Sequence, residues 1–336
     1  MPSPTPRLRL ALSLAPFAAL AVIAACSSSS QARTCTVNAD CASGQCRADG
    51  TCAPIDGTGE AGTTSDGGSD TDGSIADAGT DSPAIPLLDS GLCTPNADGI
   101  ITAEEVPLRA GLKGTFRVTT SGAQISTAGT VAEGGATHNW DFSGNLTGDH
   151  SVVVETIPLA GQWFESEFSG AGYASRLSDK ADYLGVFAVT PGALELRGVV
   201  SPSSGSSQTK IKYDPVVPSL SFPLQKGKKW TVKTTASGDI PATLNQSYIE
   251  EYEFEVDAEG ELKTSTSLGA FKVMRVSVKL AKQPFLLNPL VHYYTRQYVY
   301  VAECFGAIAK VVSKIDESSP PPDDFTDTSE IQRLSP

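Results

Sequence analysis

The chain has 336 residues, of which 40% are hydrophobic and 19% are charged, and its formal net charge is −13. This apolar fraction is enough to fill a core, so a wholly disordered chain is excluded. The acidic balance argues against a nucleic-acid-binding protein, because such proteins carry basic surfaces.

The amino terminus has the pattern of an export signal. Arg7 and Arg9 precede an uncharged, largely apolar run of 16 residues from Leu10 to Ala25. A transmembrane helix needs about 18–20 residues, and Pro16 interrupts this shorter run. We therefore predict that residues 1–25 are a secretory signal peptide.

The end of this signal resembles the lipobox of bacterial lipoproteins, in which small apolar residues precede a cysteine. Here the motif reads Ile23-Ala24-Ala25-Cys26. The resemblance implies that the Cys26 thiol carries diacylglycerol, that residues 26–34 form a tether, and that the membrane is a partner through the lipid anchor. It also implies a location in the bacterial cell envelope, and Ser27 favours the outer membrane. The alternative is an ordinary secretory signal with a chance cysteine.

The six remaining cysteines form an even set, as expected in an oxidising compartment. Four of them lie within residues 35–52 with the spacing C-x5-C-x4-C-x5-C; they are Cys35, Cys41, Cys46 and Cys52. Because so short a segment cannot bury a core, we predict that two disulfides stabilise it, and the sequence leaves their pairing undetermined. A zinc site is the less favoured alternative. The stretch is similar to the small cysteine-rich modules near the tether of surface lipoproteins. We predict a further disulfide between Cys93 and Cys304, with two buried free thiols as the alternative.

Two segments carry the acidity of the chain. Residues 53–92 contain eight acidic residues and no Lys or Arg, and residues 315–336 contain six acidic residues and one arginine. We predict that the first is a disordered linker and the second a disordered acidic tail, because self-repulsion and low apolarity oppose folding. Binding of calcium or cell-wall cations is the alternative interpretation of their charge.

Residues 93–314 have the pattern of a β-rich domain. In Glu251–Val256 glutamate alternates with apolar residues, which predicts a strand with one wet face. Gly, Pro, Asn and Asp separate many such segments. The other predicted strands are Thr115–Thr119, Thr137–Phe142, Ser151–Ile157, Gln162–Phe168, Tyr183–Thr190, Leu194–Val200, Lys229–Thr235, Val276–Leu280, Tyr293–Val301 and Gly306–Ser313. We predict an all-β fold, an antiparallel meander that forms a barrel, a half-barrel or a sandwich.

An ordered series of short motifs within about Pro218–Ser313 is similar to secreted bacterial β-rich domains of unknown function. The series includes Phe222-Pro223-Leu224, Gly269-x-Phe271 and Phe305-Gly306. It broadly resembles the half-barrel domains of the LolA and LolB lipoprotein-handling families. The resemblance implies a curved antiparallel sheet with an apolar concave face, and it implies no catalytic residue.

We find no motif for catalysis in the sequence, and no catalytic residue is predicted. The three histidines are His138, His150 and His292, and none lies in a metalloprotease, nucleophile-elbow or phosphate-loop motif. His138 and His150 fall in neighbouring predicted strands and could meet across a hairpin. A hydrolase built on them with a carboxylate is our third functional hypothesis.

One segment resembles the calcium-binding loop of EF-hand proteins. From Thr94 to Glu105, the calcium candidates are Asn96, Asp98, Ile100 and Glu105, and Gly99 suits the sharp turn. Thr94 stands where that family needs aspartate, so an Asx-rich turn before the first strand is the favoured alternative. Calcium is the only cofactor that we consider.

Two features suggest a ligand-binding surface. Residues 283–290 form an apolar connection that includes Phe285 and Leu287, and Tyr294, Arg296, Tyr298 and Tyr300 share one face of a strand. Burial for packing is the favoured interpretation of both. Our leading hypothesis is a non-enzymatic binding protein for an apolar ligand, a lipid or a cell-envelope polymer, and a structural or protein-interaction role is the second.

Overall fold

The computed structural model describes residues 93–336, apart from 133–134, 136, 207, 241–242 and 285–290. The predicted signal peptide, the tether with Cys26, the four-cysteine module and the acidic linker lie outside the described residues. So do Phe285 and Leu287 of the predicted apolar connection.

Strands form almost all of the regular structure in the described part of the chain. They are β1 (Lys113–Thr119), β2 (Thr130–Val131), β3 (His138–Asp141), β4 (His150–Pro158), β5 (Tyr173–Arg176), β6 (Leu184–Thr190), β7 (Ala193–Val200), β8 (Lys210–Ser221), β9 (Lys229–Ile240), β10 (Thr243–Ser265), β11 (Gly269–Pro284), β12 (Tyr293–Ala302), β13 (Gly306–Ser313) and β14 (Thr328–Ser335). One 3-10 turn, Glu165–Glu167, lies between β4 and β5.

Twelve of these strands form a closed antiparallel barrel. The order runs β11-β12-β13-β14-β1-β4-β5-β6-β7-β8-β9-β10, and pairing of β10 with β11 closes the ring. The all-β prediction is therefore confirmed, and a barrel is the correct choice among the three predicted architectures. Closure leaves these strands without a free edge, which an open half-barrel would expose.

The two remaining strands lie outside the ring. Strand β10 is 23 residues long and outruns its partner β9, and its last part, Gly260–Lys263, pairs in parallel with β3. Strand β2 pairs with β3 and forms the outer edge of this extension.

The barrel has two ends, which we name by residues near them. At the Glu250 end β10 begins and β11 finishes; at the Cys304 end lies the turn between β12 and β13. The segment before β1 closes onto the Cys304 end, where Ile101 pairs with Leu224. Cys93 and Cys304 form the predicted disulfide there, with Cα atoms 5.2 Å apart.

Alternate residues of β5–β13 form one buried apolar cluster that we assign to the barrel lumen. Val299 and Val301 of β12 belong to it. Residues of the opposite face, such as Tyr298 and Tyr300, belong to a second cluster together with Trp140 of β3. The segment between β1 and β4 thus covers the outer wall of the barrel, so both faces of β12 are buried.

The prediction that residues 315–336 are a disordered tail is wrong. Strand β14 lies between β1 and β13, and Ile331 and Leu334 are buried. Its charges are buried in ion pairs: Glu330 with Lys310 at 2.7 Å, and Arg333 with Asp149 at 2.6 Å. Net charge misled the prediction because partners distant in sequence neutralise these side chains.

Most of the predicted strands are confirmed, with two kinds of correction. Gln162–Phe168 is not a strand but contains the 3-10 turn, and Phe164 and Phe168 pack as a small separate cluster. Besides β14, the strands β2, β5 and β8 were not predicted. The prediction that Glu251, Glu253 and Glu255 form a wet face is confirmed, because each lies within 4 Å of a lysine on the outer wall.

Candidate binding groove

Two clefts flank strand β3 and share Asn139 and Glu261 in their walls. One has a volume of about 520 Å³ and the other about 400 Å³. We call the two together the β3 groove. It lies where the long β10–β11 hairpin extends beyond its pairing with β9, so its position follows from unequal strand lengths.

Strand register places a row of polar side chains across the groove. Thr130 is opposite Asn139, Asn139 is opposite Glu261, and Glu261 is opposite Lys272. The row thus crosses β2, β3, β10 and β11. The four residues are exposed, so their hydrogen-bonding groups are accessible to a ligand.

A second polar row adjoins the first. Asp141 is opposite Lys263, and hydrogen bonds from Ser143 lower the pKa of the Asp141 carboxyl, so it is ionised at neutral pH. Further carboxylates at the groove are already engaged. Glu303 accepts the backbone N–H groups of residues 96 and 97, and Glu259 pairs with a lysine at 3.4 Å. The groove therefore presents amide, hydroxyl, carboxylate and ammonium groups side by side.

Buried aromatic packing holds β3 in place beneath these polar residues. The Trp140 Nε1–H donates to the Thr127 backbone oxygen at 3.0 Å, and the Arg275 guanidinium lies 5.4 Å from the Trp140 ring. Gly260 permits the close approach of β3, because a Cβ atom there would collide with the His138 carbonyl oxygen. The groove floor is thus fixed by packing rather than by the polar residues themselves.

The predicted tyrosine surface on β12 is not exposed. Tyr298 is 1% exposed and Tyr300 is 0% exposed, so they are wrong as ligand-surface candidates, and the favoured interpretation, burial for packing, is confirmed for these two. Phe325 stacks on Tyr298 at 5.6 Å, and Asp323 pairs with Arg296, which is also buried. The segment before β14 covers this face, whereas a disordered tail would have left it exposed.

Tyr294, the fourth member of the predicted row, is half-buried and lies nearer the Glu250 end. Its backbone exchanges hydrogen bonds with Glu317 at 2.8 and 3.0 Å. It belongs to the same strand face as Tyr298 but not to the β3 groove.

The calcium candidates adopt a loop held by its own side chains. The Asp98 N–H donates to Asn96 Oδ1 at 2.9 Å, and the Ile100 N–H donates to Asp98 Oδ1 at 2.8 Å. These are Asx turns, as the favoured alternative predicted. Both Glu105 carboxylate oxygens accept hydrogen bonds within the loop, from the side chain of Asn96 and from Thr102. In this arrangement the side-chain oxygens of Asn96, Asp98 and Glu105 accept hydrogen bonds within the loop. Calcium binding stays a prediction.

The two histidines proposed for a hydrolase do not meet. His138 lies in β3 and stacks on Trp140, whereas His150 lies in β4 and contacts Asp179 at 2.7 Å. Strands β3 and β4 are not paired, so they do not form the hairpin across which the two histidines could have met. Within the described residues, no group of three His, Cys, Asp or Glu side chains is arranged to hold a metal ion.

Comparisons with protein-family models, with curated proteins and with solved structures gave no match. No helix among the described residues has the length and apolarity required to cross a membrane.

Sequence reasoning missed the groove. The alternation of Glu259, Glu261 and Lys263 is the local signal from which an exposed strand face could have been predicted. Nothing local showed that β3, more than 100 residues earlier, would lie beside that face, because the parallel pairing of β3 with β10 is a long-range contact.

Proposed function

We propose that this protein is a lipid-anchored binding protein of the bacterial cell envelope and that it holds a polar envelope polymer in the β3 groove without covalent chemistry. The observation that carries the proposal is the pair of adjoining clefts with a continuous polar row across four strands. The lipobox-like signal supports the envelope location.

The geometry favours a polar ligand over an apolar one. The lumen is occupied by a single buried apolar cluster drawn from nine strands, and Ile101 and Val106 enter it from the Cys304 end. The tyrosine face is covered. An elongated polymer with hydroxyl and amide groups matches the exposed donors and acceptors of Asn139, Glu261 and Lys272.

Binding of purified envelope polymers to the full chain tests this proposal. We expect a glycan fraction to bind, and Asn139→Ala and Glu261→Gln each to weaken binding by roughly tenfold, since one lost hydrogen bond to a charged or polar partner costs about 1.5 kcal/mol. The matched control is Glu253→Gln, because Glu253 is an exposed glutamate on the same strand, outside the groove. Equal affinity for all variants would contradict the assignment of the groove, and absence of binding to every envelope fraction would contradict the function.

A protein partner is the second candidate, and the sheet edge supports it. Strand β2 ends the sheet order, and Val131 on it is 59% exposed. An edge of this kind can accept a strand from another chain. Crosslinking that places a partner protein at Val131, together with intact binding by Glu261→Gln, would favour this role over the glycan site.

A further inference from the structure

A carboxyl group is buried inside the barrel near the Glu250 end. The Glu250 side chain is 0% exposed and points to the lumen side of β10, the side that carries Tyr252 and Phe254. The Tyr252 hydroxyl donates to Glu250 Oε2 at 2.7 Å, whereas no described residue forms a hydrogen bond with Oε1. A buried carboxylate with an unsatisfied oxygen is costly in its charged form.

An ammonium group lies beside this carboxyl group. Lys282 of β11 is the register partner of Glu250, is 6% exposed, and lies 4.4 Å from the Tyr248 ring centroid. Burial lowers the pKa of Lys282, and its attraction to Glu250 only partly offsets that effect.

A second carboxylate, Asp316, interacts electrostatically with Lys282 from the segment that follows β13. We call residues Lys314–Glu317 the strap. Within it the Asp316 N–H donates to Thr295 Oγ1 at 3.2 Å, and Glu317 pairs with the backbone of Tyr294. Burial raises the pKa of Asp316, and Lys282 opposes that shift. The strap is therefore attached to β12 through its backbone and to β11 through charge.

We propose that Glu250 is a proton-controlled latch for the Glu250 end of the barrel. When protonated, it stabilises the closed arrangement of β10, β11 and the strap. When it loses its proton, opening of this end is favoured, because opening exposes the carboxylate to water.

The surroundings of Glu250 allow few ways to neutralise its charge. Among the described residues, the titratable groups coupled to it are Tyr213 of β8, Tyr248 and Tyr252 of β10, Lys282 of β11 and Asp316 of the strap. Its register partner on β9 is the uncharged Thr234. Only Lys282 is cationic, and it is shared with Asp316.

The size of the coupling follows from linkage. Burial raises the pKa of Glu250 to about 7 from the 4.5 of a solvated carboxyl group. Each pKa unit between the closed form and the open, solvated form changes the ratio of open to closed molecules tenfold once the carboxyl is ionised. Deprotonation of Glu250 therefore favours opening on the order of 100-fold.

Amide hydrogen exchange on the full chain tests the latch. After correction for intrinsic exchange rates, we expect the opening equilibrium of residues 248–252 and 280–284 to rise at least tenfold between pH 5.5 and 8.5. In Glu250→Gln the same amides should show no such rise, and amides of β6 and β7 should show none in either protein. Glu253→Gln is the matched control and should behave as the parent chain does. The same rise in Glu250→Gln as in the parent chain would overturn the proposal.

A second measurement covers the case in which Glu250→Gln does not fold. The side-chain carboxyl carbon of Glu250 in the parent protein reports its own titration by NMR. A midpoint near 7 supports the latch, and a midpoint near 4.5 overturns it.

Discussion

The buried ion pair between β13 and β14 offers a sharp test of the barrel. Lys310 Nζ lies 2.7 Å from Glu330 Oε1, and both side chains are 3% exposed. Lys310 also donates to the Leu177 backbone oxygen at 2.9 Å, and the Ser178 hydroxyl donates to Glu330. The pair thus links β13, β14 and the connection between β5 and β6.

Removing one partner leaves the other charge buried. We expect Glu330→Ala to lower the free energy of unfolding by about 3–5 kcal/mol, because Lys310 then lacks its counter-ion. Lys310→Met should have a cost of similar size. The double variant Lys310→Met with Glu330→Leu should recover most of the loss, since apolar side chains of similar volume often replace a buried pair without cost.

Urea unfolding of the full chain, followed by tryptophan fluorescence, measures these changes at constant slope m. Asp324→Ala is the control, because Asp324 is exposed in the segment before β14, and its effect should stay within about 0.5 kcal/mol. If residues 315–336 were a solvated tail, Glu330→Ala would behave like this control. That outcome, or a double variant as unstable as the sum of the singles, would refute the reasoning.

Three further predictions concern other parts of the barrel. Relative to Glu250→Gln, the parent chain should lose about 3 kcal/mol of unfolding free energy as pH rises from 4.5 to 7. The reason is that the Glu250 carboxyl keeps its proton in the folded chain and loses it in the unfolded chain. Urea titrations that give a pH-independent difference between the two proteins would contradict this. Replacing Cys93 and Cys304 by serine should cost about 2–5 kcal/mol, since the bond closes a loop of 211 residues, and thermal unfolding with and without reductant checks it. Gly260→Ala should displace β3 and weaken any ligand of the β3 groove, because the new methyl group meets the His138 carbonyl; a crystal structure of the variant with β3 unmoved would argue against that contact.

The fold class was predictable because its signal is local. Alternation of polar and apolar side chains in Glu251–Val256 depends only on the two-residue period of a strand, and the structure keeps it. The pairing of Cys93 with Cys304 was also predictable, since an even set of cysteines in a chain predicted to be exported left these two outside the predicted four-cysteine module.

Strands β12 and β14 show that local sequence patterns do not predict which strand faces and segments are buried. Tyr298 and Arg296 share a strand face, as alternation requires, but the residues around Asp323 and Phe325 cover that face. The acidic composition of residues 315–336 favours disorder when the segment is considered alone. In the folded chain, Lys310 of β13 is the ion-pair partner of Glu330.

By itself the sequence determined that residues 93–314 form a largely antiparallel all-β structure, because side-chain alternation and turn residues act over a few positions. Only the tertiary structure decided that the ring closes through β10 and β11, that the acidic end of the chain completes it, and that β3 forms a groove beside β10. Each of these depends on contacts between residues far apart in the chain, whose energy comes from burial and charge pairing that no single segment contains.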